Sequence, residues 1–547
     1  MKRVLSLALS AVMITAFAGC GQNSGSKASQ TQTKAQTEPA TTIAVKSDLP
    51  KPDNSKWQYL PNEKIYYQLG IDYCEKPADE KYEKLSIFVP AEYMDAADNG
   101  DGTYTCSEKK EATVGSYTSA DAPIVLPVET PSYYAAEALT SDMPENALNY
   151  FLDKIKEYTS KGMVYIFPGC RGIDEGAPSG VTDLKAAVRY IRYCDDELAG
   201  DANRIFAFGM SGGGAQAAIL GASGNSELYD PYLKEIGAVQ GVSDKVAGVM
   251  AWCPITDLDT ANAEYEWMMG CTRKDRSAEE NAISDELAKA FAEYINQAGF
   301  TDKDGNALTL TESKEGIFQA GSYYDYVKGV IEGSLNHYLS DTVFDSPDLK
   351  NSYGSAQGYI DSLNKDKKWV TYDKATNTAV ISSIADFAKA CKNASDNQFG
   401  FDTPQSENNL FGTGDGKGSH FDKILGDILS KLNNEAAADF AEDFKKTDAQ
   451  GSTLEQRVNM YTPLYYLMEK REGFGTSDVA ENWRIRTGIK QINTSVTTEA
   501  NLALALEHNS DVKNVDFETV WEQTHEEAER TGDSTENFIE WIGTCMQ

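Results

Sequence analysis

Residues Arg204–Ala222 read RIFAFGMSGGGAQAAILGA, and no other stretch constrains the fold as tightly. After its leading arginine, Arg204–Phe208 is apolar and carries aromatic and β-branched residues, the signature of a buried strand. Ala215–Ala222 is made of small and aliphatic residues and predicts a helix. Between them stands Gly209-Met210-Ser211-Gly212-Gly213, a G-x-S-x-G at a strand-to-helix junction. So sharp a turn forces Ser211 into strained torsions, and Gly209 and Gly213 let strand and helix close without Cβ clashes. The Ser211 hydroxyl then stands at a helix N-terminus, where backbone N–H groups favour developing negative charge.

The flanking sequence supplies the sheet that such a turn requires. Lys64–Tyr73, Leu85–Pro90, Ala122–Val128, Met163–Pro168 and Val246–Cys253 read as strands. Asn146–Ser160 has helical spacing, and Val181–Leu198 places Leu184, Val188 and Ile191 on one helical face. This alternation predicts a mostly parallel sheet covered by helices on both faces. It stops at about residue 264, where a helical, polar region with Gly-rich loops such as Gly412–Gly418 begins and runs to residue 477. Strand signals return at Trp483–Thr487 and Val515–Trp521, with the helix Ala500–Glu507 between them and a last helix over Glu536–Cys545. The 547 residues exceed what one compact core usually holds. We therefore expect an α/β core in two parts, residues 56–263 and 478–547, with a helical lid insertion at 264–477.

Lys2 and Arg3 precede a short apolar run, Val4–Phe17, too short to span a bilayer. Phe17-Ala18-Gly19-Cys20 follows and resembles a bacterial lipobox. That resemblance implies a signal peptide over residues 1–20, lipidation of Cys20 and anchorage on the outer face of the cell membrane. Residues 21–55 are polar and small and should form a flexible tether. The formal net charge of −34 repels nucleic acid and anionic headgroups, so neither is an expected partner. Besides Cys20 there are Cys74, Cys106, Cys170, Cys194, Cys253, Cys271, Cys391 and Cys545. None has zinc spacing, and sequence leaves their pairing open.

A serine nucleophile needs a base. The chain has four histidines: His337 and His420 in the insertion, His508 at the end of a helix, and His525 after the last strand. The position of His525 matches the chain order Ser…acid…His, and we expect it to be the general base.

Residues Val181–Gly224, Cys253–Gly270 (CPITDLDTANAEYEWMMG), SENNLFG at Ser406–Gly412 and the tail WRIRTG…VDFETVWEQTH…TENFIEWI resemble bacterial subtype-B tannases and feruloyl-esterase-like hydrolases. The resemblance implies an α/β-hydrolase fold with a lid and hydrolysis of a small-molecule carboxylic ester, phenolic or otherwise plant-derived. It implies no metal or organic cofactor. It also implies an acid in the loop after WRIRTG, where Asp is usual. Here that loop reads Ile489-Lys490-Gln491-Ile492-Asn493-Thr494-Ser495, so Gln491 or Asn493 stands at the seat. Asp257 or Asp259 could substitute, with Glu499 a weaker candidate in the next helix. The oxyanion loop is Glu129-Thr130-Pro131-Ser132-Tyr133 rather than Gly-rich. Pro131 has no N–H, so Ser132 or Tyr133 must join Gly212, and Ser132 is the expected donor. Lys392 and Glu407 are candidate counterparts of substrate-binding lid residues. Two alternatives stand beside the esterase: a catalytically impaired homologue that binds a ligand in the same pocket, and a substrate-binding lipoprotein of a transporter. A peptidase would use the same geometry.

Overall fold

The alternating strands assemble because each offers one apolar row to each side of a sheet. The structure, a computed structural model, describes residues 45–143, 145–274, 276–314, 316–346, 353–392, 406–414 and 417–547. The expected signal peptide, Cys20 and the tether up to residue 44 lie outside the described residues. Nine strands form the main sheet: β1 Gln58–Leu60, β2 Ile65–Asp72, β3 Lys84–Pro90, β4 Ile124–Val128, β5 Val164–Pro168, β6 Ile205–Met210, β7 Gly248–Trp252, β8 Asn482–Gly488 and β9 Asn514–Val520. Their spatial order is β1-β2-β3-β5-β4-β6-β7-β8-β9. The first three pair antiparallel, and β3 also meets β5 antiparallel. From β5 to β9 every pairing is parallel. This is the α/β-hydrolase fold, with β6 at the centre of the parallel part.

Five helices cover the sheet: α1 Glu145–Thr159, α2 Ser179–Tyr193, α3 Gly212–Ala222, α4 Val496–Glu507 and α5 Ser534–Cys545. Strand alternation decides which face each meets. Phe206 and Phe208 of β6, with Met250 and Trp252 of β7, pack with Ile155 and Tyr158 of α1 and Phe538 and Trp541 of α5. Ile205, Ala207, Val249 and Ala251 point the other way, into a core shared with Leu184, Val188, Leu220 and Leu502 of α2, α3 and α4. Full burial of such aliphatic and aromatic side chains contributes about 1.5–3 kcal/mol each. Both faces are covered, which is why β4, β5 and β7 are buried along their whole length.

The region between β7 and β8, where a helical lid insertion at 264–477 is expected, departs from that expectation in two respects. Its first helix, Ala261–Met269, straddles the expected boundary at residue 264. It also holds a two-stranded hairpin, Val370–Asp373 with Thr378–Ile381, in a stretch read as helical. The hairpin packs at the Ser322–Asp341 helix, where Asn336 Nδ2 donates to Ala379 O. That helix in turn ties the insertion to the core: Ser334 Oγ donates to Thr519 O in β9 at 2.6 Å, and Tyr323 OH to Asn501 Oδ1 in α4 at 2.6 Å. One nine-stranded main sheet with one long insertion differs from the two similar lobes of a hinge-closing transport lipoprotein. The eight cysteines among the described residues are free. Among the described residues, no helix is long and apolar enough to cross a membrane.

Candidate active site

Ser211 follows β6 and caps α3 with φ 60° and ψ −122°, a strained conformation for a residue with a Cβ. Its N–H donates to Trp252 O at 2.9 Å, and its carbonyl accepts from Ala215 N–H at 2.9 Å, so β7 and α3 together hold the turn. A Cβ at Gly213 would lie 2.1 Å from Val128 O. Only glycine lets α3 start so close to β4.

The other wall of the elbow is the loop after β4. Ser132 and Tyr133 both adopt left-handed torsions, φ 52° and 61°. A Cβ on Gly212 would come within 2.6 Å of Tyr133 N and 3.2 Å of Ser132 N, so this loop lies directly against the first turn of α3. Tyr133 N–H donates to Thr130 O at 3.0 Å and is occupied inside the turn. The Tyr133 hydroxyl donates to Ile255 O at 2.5 Å, and Thr130 Oγ1 donates to Gln216 Oε1 at 2.9 Å. Those bonds fix the loop with side chains in place of the Gly-rich turn expected there.

His525 sits in the loop after β9, with Nε2 2.8 Å from Ser211 Oγ and Nδ1 2.8 Å from Gln491 Oε1. Several elements bring it there. A Cβ at Gly488 would lie 1.9 Å from Thr524 O, so the end of β8 and the histidine loop touch only because residue 488 is glycine. The buried Cys253 thiol donates to Glu526 O at 3.2 Å. Farther along the loop, Glu529 accepts from both terminal nitrogens of Arg484, at 2.5 and 2.7 Å, and from Trp252 Nε1 at 3.1 Å.

Gln491 takes the seat expected of an acid; its rival Asn493 is exposed on the same loop. Gln491 Nε2 lies 2.6 Å from Thr487 Oγ1, 2.7 Å from Thr494 Oγ1 and 2.8 Å from Glu499 Oε1. Acceptors on that side turn the amide oxygen toward His525. Nδ1 is then the protonated nitrogen, and Nε2 accepts from the Ser211 hydroxyl. Burial holds the imidazole below its usual pKa, which favours a neutral base at pH 7.

Glu499 lies in the first turn of α4, fully buried. Burial pushes its carboxyl up to about 7, opposed by the Lys392 ammonium. Lys392 ends the helix Ile384–Cys391. Its Nζ donates to Gln491 O at 2.7 Å and Thr494 O at 3.1 Å. Burial brings it down to about 8, opposed by Glu499.

Several expectations are corrected. Asp257 and Asp259 do not replace the acid, because Gln491 occupies His525 Nδ1. Asp259 pairs with Arg471, and Asp257 is buried with neither carboxyl oxygen hydrogen-bonded. Lys392 is not presented to a ligand; it is a buried support behind the acid loop. Glu407 is buried on the short helix Ser406–Leu410, where its charge acts on the Tyr133 phenol. Burial raises its carboxyl to about 7. The other histidines serve elsewhere: His337 meets Glu518, His508 meets Thr301 and His420 stacks on Phe440. The roles of Cys253, Thr487 and Thr494 escaped the sequence reading. Only the Thr-rich approach to Glu499 hinted at them.

Comparison with known proteins agrees with this fold. The BD-FAE family model matches residues 137–314, which begin after the loop that follows β4 and include the whole elbow. Comparison with curated protein sequences finds no match. Among solved structures, the tannase of Fusobacterium nucleatum is 28% identical, with a TM-score of 0.68, 93% of this chain and 99% of that chain covered. The tannin acyl hydrolase of Lactobacillus plantarum is 26% identical, with a TM-score of 0.66 and coverage of 88% and 94%. A tannin acyl hydrolase in complex with ethyl gallate is likewise 26% identical, with a TM-score of 0.66 and coverage of 88% and 94%.

Proposed function

We propose that this chain is a serine esterase that hydrolyses carboxylic esters of phenolic acids. The observation that carries the reading is the 2.8 Å contact between Ser211 Oγ, on a strained elbow, and a His525 ring whose other nitrogen faces an acceptor. Ser211 Oγ attacks the acyl carbon while its proton passes to His525 Nε2. The N–H groups of Gly212 and Ser132 receive the oxyanion. The alcohol leaves with the proton from Nε2, and water repeats the sequence to free the acid and restore Ser211. Glu407, a buried carboxyl beside the oxyanion loop, is assigned to a substrate hydroxyl. Likeness to tannin acyl hydrolases, one of them bound to ethyl gallate, supports the phenolic class. The lipobox-like Phe17–Cys20 supports an anchor at Cys20 on the outside of the bacterial membrane.

The test is hydrolysis of ethyl gallate, methyl ferulate and p-nitrophenyl acetate by the protein and by Ser211→Ala. Turnover that disappears in the variant supports the reading. The amide at Gln491 favours a second reading, a slowed homologue that binds the same ligands. Near-background rates with no fluorophosphonate labelling of Ser211, together with ethyl gallate binding, would favour it.

A further inference from the structure

An amide accepts a hydrogen bond from an imidazole but brings no charge to offset the imidazolium. In serine proteases, Asp→Asn at this position lowers kcat by about 10⁴-fold. The residue that supplies charge here stands one hydrogen bond farther back. We propose that Glu499 is the charged positioning residue of the site, acting on His525 through Gln491 as a bridging amide; this rests on the esterase reading above.

The contacts form an unbroken line. Ser211 Oγ meets His525 Nε2 at 2.8 Å, His525 Nδ1 meets Gln491 Oε1 at 2.8 Å, and Gln491 Nε2 meets Glu499 Oε1 at 2.8 Å. The amide has two protons for three nearby oxygens. Thr494 Oγ1 and Thr487 Oγ1 resolve this by donating in turn to Glu499 Oε1, at 2.8 and 3.2 Å. All donors therefore converge on one carboxylate oxygen.

That convergence sets the direction of the whole line. Rotating the amide by half a turn would press its carbonyl against the carboxylate and its N–H groups against Nδ1–H. Glu499 thus fixes the orientation of Gln491, and Gln491 fixes the tautomer of His525. A charge-assisted bond to Nε2 also polarises the amide and increases the negative charge on Oε1. When Ser211 gives its proton to Nε2, Nδ1 keeps its own. No proton travels along the line, Gln491 stays neutral, and the carboxylate offsets the new positive charge from a distance.

The surroundings suit this role. Glu499 is fully buried, and its Oε2 has no hydrogen-bond partner. Its field is therefore little screened by water. The other charged or titratable groups acting on it are Lys392 from the insertion, and Asp257 and Cys253 from the β7 end. Glu264 is occupied by the Thr497 and Thr498 hydroxyls, at 2.9 and 3.0 Å. Lys392 is held by two backbone carbonyls and acts on Glu499 through its charge.

Two variants of the full chain test this: Glu499→Gln, and the exchange Gln491→Glu with Glu499→Gln, which moves the carboxylate next to His525. The readouts are kcat, KM, the pH profile of kcat/KM, and the His525 pKa by NMR in a Ser211→Ala background. We expect Glu499→Gln to lower kcat by on the order of 10²-fold, the low end for a positioned proton-transfer group, with KM nearly unchanged. The His525 pKa should fall by about one unit as the anion is lost. The exchanged pair should return kcat to within about tenfold of the native value.

Native kcat and an unchanged His525 pKa in Glu499→Gln would overturn the proposal. So would an exchanged pair exceeding native kcat by more than about 10²-fold, since that would show that no charge reached His525 before. If Glu499→Gln does not fold, the exchanged pair decides. If the native chain neither turns over ester nor labels at Ser211, the esterase reading fails, and the NMR titration still tests the connection between Glu499 and His525.

Discussion

Ser211 and His525 meet across one hydrogen bond, yet the protein builds its two sides in different ways. The serine side is made by backbone: a strained residue, glycines against β4 and the oxyanion loop, and a helix that starts in the turn. The histidine side is made by side chains drawn from β7, β8, α4 and the insertion, ending at the buried Glu499 carboxyl and the buried Lys392 whose charge acts on it. The difference teaches where chemistry can vary. A backbone turn with a Cβ-sized gap accepts one residue type, whereas a hydrogen-bonded network can replace a carboxylate by an amide if a charge is supplied behind it.

The largest test of the serine side is Ser211→Ala. Ester hydrolysis should fall by on the order of 10⁴-fold or more with folding intact, measured by turnover beside circular dichroism. Retained turnover would remove the elbow from the mechanism. Next come the close approaches. Gly213→Ala and Gly488→Ala each place a Cβ about 2 Å from a backbone oxygen that cannot retreat. Each should lose about 3 kcal/mol or more in urea unfolding, and Gly488→Ala should displace His525 as well.

Lys392→Met sharpens the comparison from the network side. With its ammonium gone, Glu499 loses the cation that opposes its raised pKa. In the native protein the acid limb of kcat/KM should fall near pH 7, set by Glu499 rather than by His525, whose pKa is lowered. In Lys392→Met that limb should move to higher pH, with kcat about tenfold lower at pH 7 and partly recovered above it. An unmoved limb would separate Lys392 from the site.

The last effect is on the pH dependence of stability. Burial raises the carboxyls of Glu83, Glu407 and Glu499 to about 7 and of Glu264 to about 8. Their unfolded values lie near 4.3, so between there and about pH 8 the folded state holds protons that the unfolded chain has released. Stability from these groups therefore falls as pH rises through that window. Melting temperatures should be higher at pH 5 than at pH 8, and the reverse order would contradict these assignments.

The elbow was legible because its requirements are local. A strand, the three glycines of the turn Gly209–Gly213 and a helix, all within Arg204–Ala222, state the backbone path without reference to the rest of the chain. The sheet strands were legible for a similar reason, since burial on both faces leaves near-continuous apolar runs. The hairpin Val370–Asp373/Thr378–Ile381 was not, because its alternation is short and its partner helix lies far away in sequence. Nor could sequence choose between Gln491 and Asn493. One residue more or less in the turn after Gly488 decides which side chain faces inward, and that turn is set by Gln523, Thr524 and Lys392.

By itself, the sequence determined the α/β framework and the strand–turn–helix that carries Ser211. These follow from hydrophobic periodicity and from the steric demands of one turn. Only tertiary structure decided that Asp257 and Asp259 stand apart from His525, that Lys392 supports a loop, and that Glu499 lies behind Gln491. Those facts depend on side chains from distant segments meeting in a dry interior, where a hydrogen bond is strong and an unpaired charge is costly.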